Sequence, residues 1–91
     1  MYQVLLFYKY ITISDPHKLM RDLRALCEKH ELTGRILIAG EGINGTVEGL
    51  TLATEKFAIE LLQDERFADI RIKRSEGTGD SFPKLMIDGH L

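Results

Sequence analysis

Three sets of residues in this chain have types and spacings that point to chemistry. The first is a glycine-rich string, Ala39-Gly40-Glu41-Gly42-Ile43-Asn44-Gly45-Thr46. Its glycines permit positive φ angles and close backbone approach, and exposed N–H groups in such a turn can bind an anion. It is not a P-loop, because no Gly-Lys-Ser/Thr follows and no helix starts there. Nor does the glycine spacing fit a dinucleotide fingerprint, and a strand follows. A hairpin with a bulge accounts for Gly40 and Gly42 on structural grounds alone. It accounts less well for Glu41 and Asn44, so the motif loop Glu41, Gly42, Asn44 and Gly45 is a candidate site, with Glu41 and Asn44 the residues to test.

The second set is basic: Lys9, Arg35, Arg71 and Lys73. Their value depends on whether one surface gathers them. The third is Cys27 with His17, His30 and His90. Cys27 lies on the apolar stripe of a predicted helix, with no His-and-carboxylate pair to place beside it. It reads as a buried, inert thiol rather than a nucleophile. The histidines are scattered without ligand spacing, so no metal and no cofactor is expected. A single cysteine excludes an internal disulfide framework and favours a reducing, cytoplasmic setting.

The elements that must position these residues alternate along the chain. Tyr2–Ile11, rich in aromatic and β-branched residues, predicts a strand. Asp15-Pro16 marks a helix start, and Leu19, Leu23, Leu26 and Cys27, with Met20 alongside, form its apolar face. Gly34 closes that segment. Arg35–Ala39 and Ile43–Glu48 predict two strands around the Gly40-Glu41-Gly42 turn. Thr51 or Thr54 is the expected cap of a second helix, with Phe57, Ala58, Leu61 and Leu62 on its apolar stripe. Asp69–Arg74 predicts a fourth strand, Ser75–Ser81 a loop, and Phe82–Ile87 a short fifth edge strand. The order is β-α-β-β-α-β, an α+β ferredoxin-like sandwich: an antiparallel four-stranded sheet with two helices on one face and the other face open. Residues 1–75 would be the domain proper and 76–91 a loop and tail.

Strand parity assigns side chains to that open face. Ile70 and Ile72 belong in the core, so Arg71 and Lys73 point outward; Ile36 and Ile38 point inward, so Arg35 and Leu37 point outward. Gln3 and Lys9 mark Gln3, Leu5, Phe7 and Lys9 as outward, and Asn44, Thr46 and Glu48 follow in the third strand. The face then carries four bases against Glu48, a formal +3, leaving −5 for the rest of a chain of net charge −2. Such a face suits a phosphate-bearing ligand; ordinary solvated strand charges would look the same. Leu5, Phe7 and Leu37 on it would suit covering by a tail or neighbouring domain. Tyr8 and Tyr10 read as core or rim residues. The third strand holds no aromatic, which argues against the RRM mode of RNA binding.

Size and composition set the bounds. The 91 residues make one small domain, and 44% hydrophobic with 29% charged residues excludes a disordered chain. The longest apolar runs, Val4–Tyr8 and Ile36–Ala39, are far too short for a membrane span. Twelve basic and 14 acidic residues do not announce a nucleic-acid binder, so charge placement must carry that case.

Several segments occur here in a telling order: Phe7-Tyr8-Lys9-Tyr10, Asp15-Pro16, Leu26-Cys27, Gly34-Arg35-Ile36-Leu37-Ile38-Ala39, Glu41-Gly42-Ile43-Asn44-Gly45-Thr46-Val47, Arg66-Phe67 and Ile72-Lys73-Arg74-Ser75. Together they resemble the N-terminal domain of the rhodanese-related tRNA uridine hydroxylase family, over about residues 2–85. The resemblance implies an acylphosphatase-like form of the fold and, in full-length members, a following rhodanese domain that carries the active cysteine. It implies oxygen-dependent 5-hydroxylation of the wobble uridine of tRNA for the whole protein, with tRNA and the rhodanese domain as partners. Cys27 does not stand in for the rhodanese cysteine, and the tail Lys84–Leu91 departs from the basic strand such members carry there. Three readings follow: a noncatalytic domain that helps hold tRNA, a module that only packs against its rhodanese domain, and a free-standing acylphosphatase. The last needs an Arg and a Gly-containing phosphate loop after the first strand. Here that loop is Thr12-Ile13-Ser14-Asp15-Pro16, without either.

Overall fold

The computed structural model describes residues 1–90, so Leu91 at the end of the tail lies outside the described residues. Local chemistry starts and stops the elements much as the sequence predicts. After β1 (Tyr2–Tyr10), Asp15 caps α1 (Pro16–Lys29), its side chain accepting from Lys18 N–H at 3.1 Å with Pro16 in the first turn. The helix closes at His30 rather than at Gly34; Glu31 turns the chain with φ 55°, and Gly34 already lies inside β2 (Thr33–Ala39). A two-residue turn leads into β3 (Gly42–Leu50), followed by α2 (Thr51–Gln63), a 3-10 turn at Glu65–Phe67, β4 (Arg71–Gly77) and β5 (Leu85–His90). The expected threonine cap of α2 does not form. Its N-cap is Leu50, and the Thr51 N–H donates instead to the Met1 carbonyl at 2.9 Å.

The sheet runs β4-β1-β3-β2-β5, antiparallel throughout except for β5, which lies parallel to β2. The expected fifth strand is therefore present but starts later, and it makes the sheet mixed. Both helices cover one face. The core joins Leu5, Phe7, Ile36, Ile38, Ile43 and Val47 of the sheet to Leu19, Leu23 and Cys27 of α1 and Phe57, Ala58 and Leu61 of α2. Leu26 and Met20 pack at its border, and Leu62 stays exposed. Phe7 meets Phe57 with ring centroids 5.8 Å apart, and the space for its ring exists because Gly45, directly opposite on β3, has no side chain.

That packing corrects the parity of β1. Leu5 and Phe7 are fully buried under the helices, so Gln3 and Lys9 share the helix face and Val4, Leu6, Tyr8 and Tyr10 take the open one. The two polar residues, each half-buried, find partners at the rim of the helix layer. Gln3 Oε1 accepts from the buried Thr54 hydroxyl at 2.6 Å. Lys9 Nζ donates to the Arg66 carbonyl at 2.6 Å and pairs with Asp69.

Candidate functional site

The register sets out the open face in rows. One runs Arg71, Tyr8, Asn44, Leu37, Asp88 across β4, β1, β3, β2 and β5; the next runs Lys73, Leu6, Thr46, Arg35, Met86. Arg71, Lys73 and Arg35 are outward as predicted, while Lys9 is on the opposite side. With Asp88 and Glu48 also on this face, its formal charge is +1 rather than +3. Arg35 is partly neutralised by Asp88 at 3.4 Å. Arg71 and Lys73 are exposed and form no ion pair among the described residues. Between Arg71 and Asn44 stands Tyr8, 52% exposed, and Tyr10 lies beyond it. Both tyrosines thus belong to the solvent-facing surface, not to the core.

At the end of this face lies the glycine-rich turn. Ala39 pairs directly with Gly42, so Gly40-Glu41 is a two-residue turn and the expected bulge is absent. Its carbonyls bind the segment after β1: Ile11 N–H donates to Glu41 O at 3.0 Å and Ile13 N–H to Gly40 O at 2.8 Å. A Cβ on Gly42 would overlap the Lys9 carbonyl, and one on Gly45 would overlap the Phe7 ring. These glycines therefore serve close packing. Glu41 and Asn44 are exposed and border a hollow of about 160 Å³, lined also by Tyr8, Tyr10, Leu37 and Ala39.

The sequence reading gave Glu48 only as a surface charge. It is 1% exposed, beneath the β4–β5 connection. Its carboxylate accepts from the N–H groups of Thr78 (3.0 Å), Gly79 (3.2 Å) and Ser81 (2.9 Å) and from the Ser81 hydroxyl (2.7 Å). Burial pushes this carboxyl up, but the Ser81 hydroxyl and the three N–H groups outweigh it and hold it below its ordinary 4.5. Glu48 is thus the anchor of the crossover that brings β5 to the sheet edge.

Residues 2–88 match the family described as the UPF0176 acylphosphatase like domain. The chain belongs to this family. This UPF0176 domain is 46% identical over 86 residues to the tRNA uridine(34) hydroxylase of Staphylococcus aureus strain Newman, covering 94% of the chain and 27% of that relative. The same enzyme of strain JH9 gives the same identity and coverage. The chain thus spans about a quarter of the length of the curated relatives it matches. Among solved structures, BlrB, a BLUF protein in its dark state, superposes with a TM-score of 0.79 at 22% identity, over 97% of this chain and 72% of that one. Klebsiella pneumoniae BlrP1 gives 0.78 at 20%, over 97% and 24%. At such identities the likeness is one of fold.

In the UPF0176 domain the loop after β1 is filled by its own side chains. Ile13 is buried, and the Asp15 carboxylate occupies the N-terminus of α1, where an anion would have to sit. Cys27 is fully buried, and burial pushes its thiol up to about 12. Of the histidines, His17 is exposed in the first turn of α1, and His30 Nε2 meets Glu60 Oε2 at 2.7 Å, tying α1 to α2. Among the described residues no group of His, Cys, Asp and Glu could hold a metal ion, and no helix is long and apolar enough to cross a membrane. The candidate residues therefore separate. Arg71, Lys73 and Arg35 share the open face with Asn44, Glu41 stands at its end, Gly42 and Gly45 shape the packing, and Lys9 belongs to the helix side.

Proposed function

We propose that this UPF0176 domain is a noncatalytic module that helps hold tRNA for a longer tRNA-modifying protein, whose rhodanese domain would carry the hydroxylation of the wobble uridine. The observation that supports it most is the pair Arg71 and Lys73, exposed and, among the described residues, without an ion-pair partner, beside the exposed Tyr8 on the sheet face opposite the two helices. Free cations next to an aromatic ring on an open sheet match what a phosphate backbone with accessible bases needs. The name of the Staphylococcus aureus relatives supplies the tRNA.

The test is the salt dependence of tRNA binding by the 91-residue chain. Each phosphate contact contributes roughly 0.7–0.9 to the slope of log affinity against log salt. Removing Arg71 and Lys73 together should weaken binding and lower the slope by about 1.5. The control pair Lys18 and Lys56 lies on the helices and should leave it unchanged. Equal loss from the control pair would refute the open-face assignment. A second reading, packing against the rhodanese domain, draws on Leu6 and Met86, each 42% exposed on the same face. It takes over if neither pair matters for tRNA binding by the longer protein. Leu5 and Phe7 lend it nothing, since both are buried under the helices.

A further inference from the structure

The hollow beside the Gly40-Glu41 turn has its origin in the sequence. In the last row of the open face, Gly42 and Ala39 lie next to Tyr10. A missing side chain and a single methyl leave a depression, which Tyr10, Tyr8 and Leu37 wall with apolar surface. Its polar side chains, Glu41 and Asn44, are both exposed, and neither enters a side-chain hydrogen bond or ion pair among the described residues. On the other side of Tyr8 runs a shallow groove lined by Leu6, Arg71 and Lys73. Charge is thus divided about the ring, with cations towards β4 and a carboxylate at the turn. Arg71 and Asn44 stand two strand spacings apart, about 10 Å.

A nucleotide carries the matching division: an anionic phosphate at one end and a flat base with an N–H-bearing edge at the other. We propose that the hollow takes one unpaired nucleobase of RNA, stacked on Tyr8, with its Watson–Crick edge on Asn44 and Glu41 and its phosphate towards Arg71 and Lys73. This deepens the RNA-facing reading above and rests on it. An ionised carboxylate only accepts, through two oxygens, so Glu41 favours an edge that offers two adjacent donors. Guanine presents such an edge through N1–H and its N2 amino group. In a duplex the base faces and this edge are hidden, leaving the phosphate contacts alone.

The experiment uses the 91-residue chain with short dye-labelled uridine oligomers carrying one central guanosine or one central inosine, which lacks the N2 amino group, and a duplex of equal length. Anisotropy reads affinity. Tyrosine emission reads stacking without tryptophan signal, since the chain has 3 Tyr and no Trp, and the Tyr8→Ala variant isolates the Tyr8 share from that of Tyr2 and Tyr10. The guanosine oligomer should bind tightest, and the inosine oligomer and the duplex several-fold more weakly. Tyr8→Ala should weaken the guanosine oligomer about 10-fold or more, the scale of base–aromatic stacking, and abolish most of the quenching. Tyr8→Phe should retain the affinity, although its quenching is lost with the Tyr8 phenol, and Glu41→Gln should erase the preference for guanosine over inosine. Thermal melting confirms that these exposed-site variants fold. If Tyr8→Ala binds and quenches like the unmodified chain while the Arg71 and Lys73 double variant loses affinity, the base pocket is wrong and the phosphate-facing surface stands. If neither variant changes affinity, or no RNA is bound at all, both readings fall.

Discussion

Replacing Glu48 with Ala should cost this domain about 3 kcal/mol, the balance of four lost hydrogen bonds and one relieved burial. Three backbone N–H groups and one hydroxyl converge on the carboxylate. A hydrogen bond to a charged acceptor is worth roughly 1.5–3 kcal/mol net, but Thr78 and Ser81 are exposed and water recovers part of that, leaving about 1 kcal/mol each. Removing a buried carboxylate returns about 1 kcal/mol of desolvation. A loss of 3 kcal/mol in a domain of this size should lower Tm by roughly 15 °C. Glu48→Gln keeps one acceptor oxygen but turns an amide N–H₂ towards donors, and should cost about half as much. Urea unfolding measures both, and amide exchange at Thr78, Gly79 and Ser81 localises the effect. The pH dependence has a fixed sign. The folded carboxyl titrates below its ordinary 4.5, so its contribution is complete above that value and disappears as pH falls through the lower, folded one. The gap between the native chain and Glu48→Gln should therefore close on acidification. A gap that is unchanged by pH, or a Glu48→Ala cost under about 0.5 kcal/mol, would refute the anchoring argument.

Other outcomes follow from the packing. Gly42→Val and Gly45→Val should each destabilise by about 1–3 kcal/mol because the new side chains meet the Lys9 carbonyl and the Phe7 ring, whereas Gly40→Ala, whose Cβ meets only the Ile13 carbonyl oxygen at an ordinary 4.0 Å, should stay within about 0.5 kcal/mol in the same unfolding experiment. The Cys27 thiol, buried and protonated at neutral pH, should resist alkylation in the folded chain and react on unfolding in urea; fast labelling of the native form would contradict its placement. Lys9→Met should leave the salt dependence of tRNA binding unchanged, since Lys9 is engaged with Arg66 and Asp69 on the helix face; a flatter salt slope would return it to the RNA-facing surface.

Hydrophobic spacing, Asp15-Pro16 and the glycine turn were enough to read the order of elements and the two-helix layer from the residues. The inward set of β1 was not, because Tyr2–Tyr10 is nearly all apolar and shows no alternation. The polar residues that mark parity elsewhere mislead here: Gln3 and Lys9 are long enough to reach partners at the helix rim. A usable signal lay in the partner strand. Phe7 faces Gly45, and a large ring fits the crowded face only opposite a glycine. The role of Glu48 was hidden because three of its four donors are backbone N–H groups of a loop, which carry no mark in the side-chain alphabet. Arg35, Arg71 and Lys73 were readable as a shared surface because their strands do alternate.

The place of β1 inside the sheet, between β3 and β4, has a kinetic consequence. Tyr2 lies opposite both Leu50 and Gly77, so the first strand made completes its β3 ladder only once Leu50 exists and its β4 ladder only once Gly77 does. Closing such distant pairs demands loop entropy before any contact rewards it, which slows folding relative to helical domains of equal size. During synthesis the β2–β3 hairpin can zip early through its two-residue turn, while the apolar Val4–Tyr8 run waits unpaired. Pairing of that run with β3, and then of β4 with its other edge, closes the sheet, and a chain short of that point still carries the exposed apolar run on which association can start.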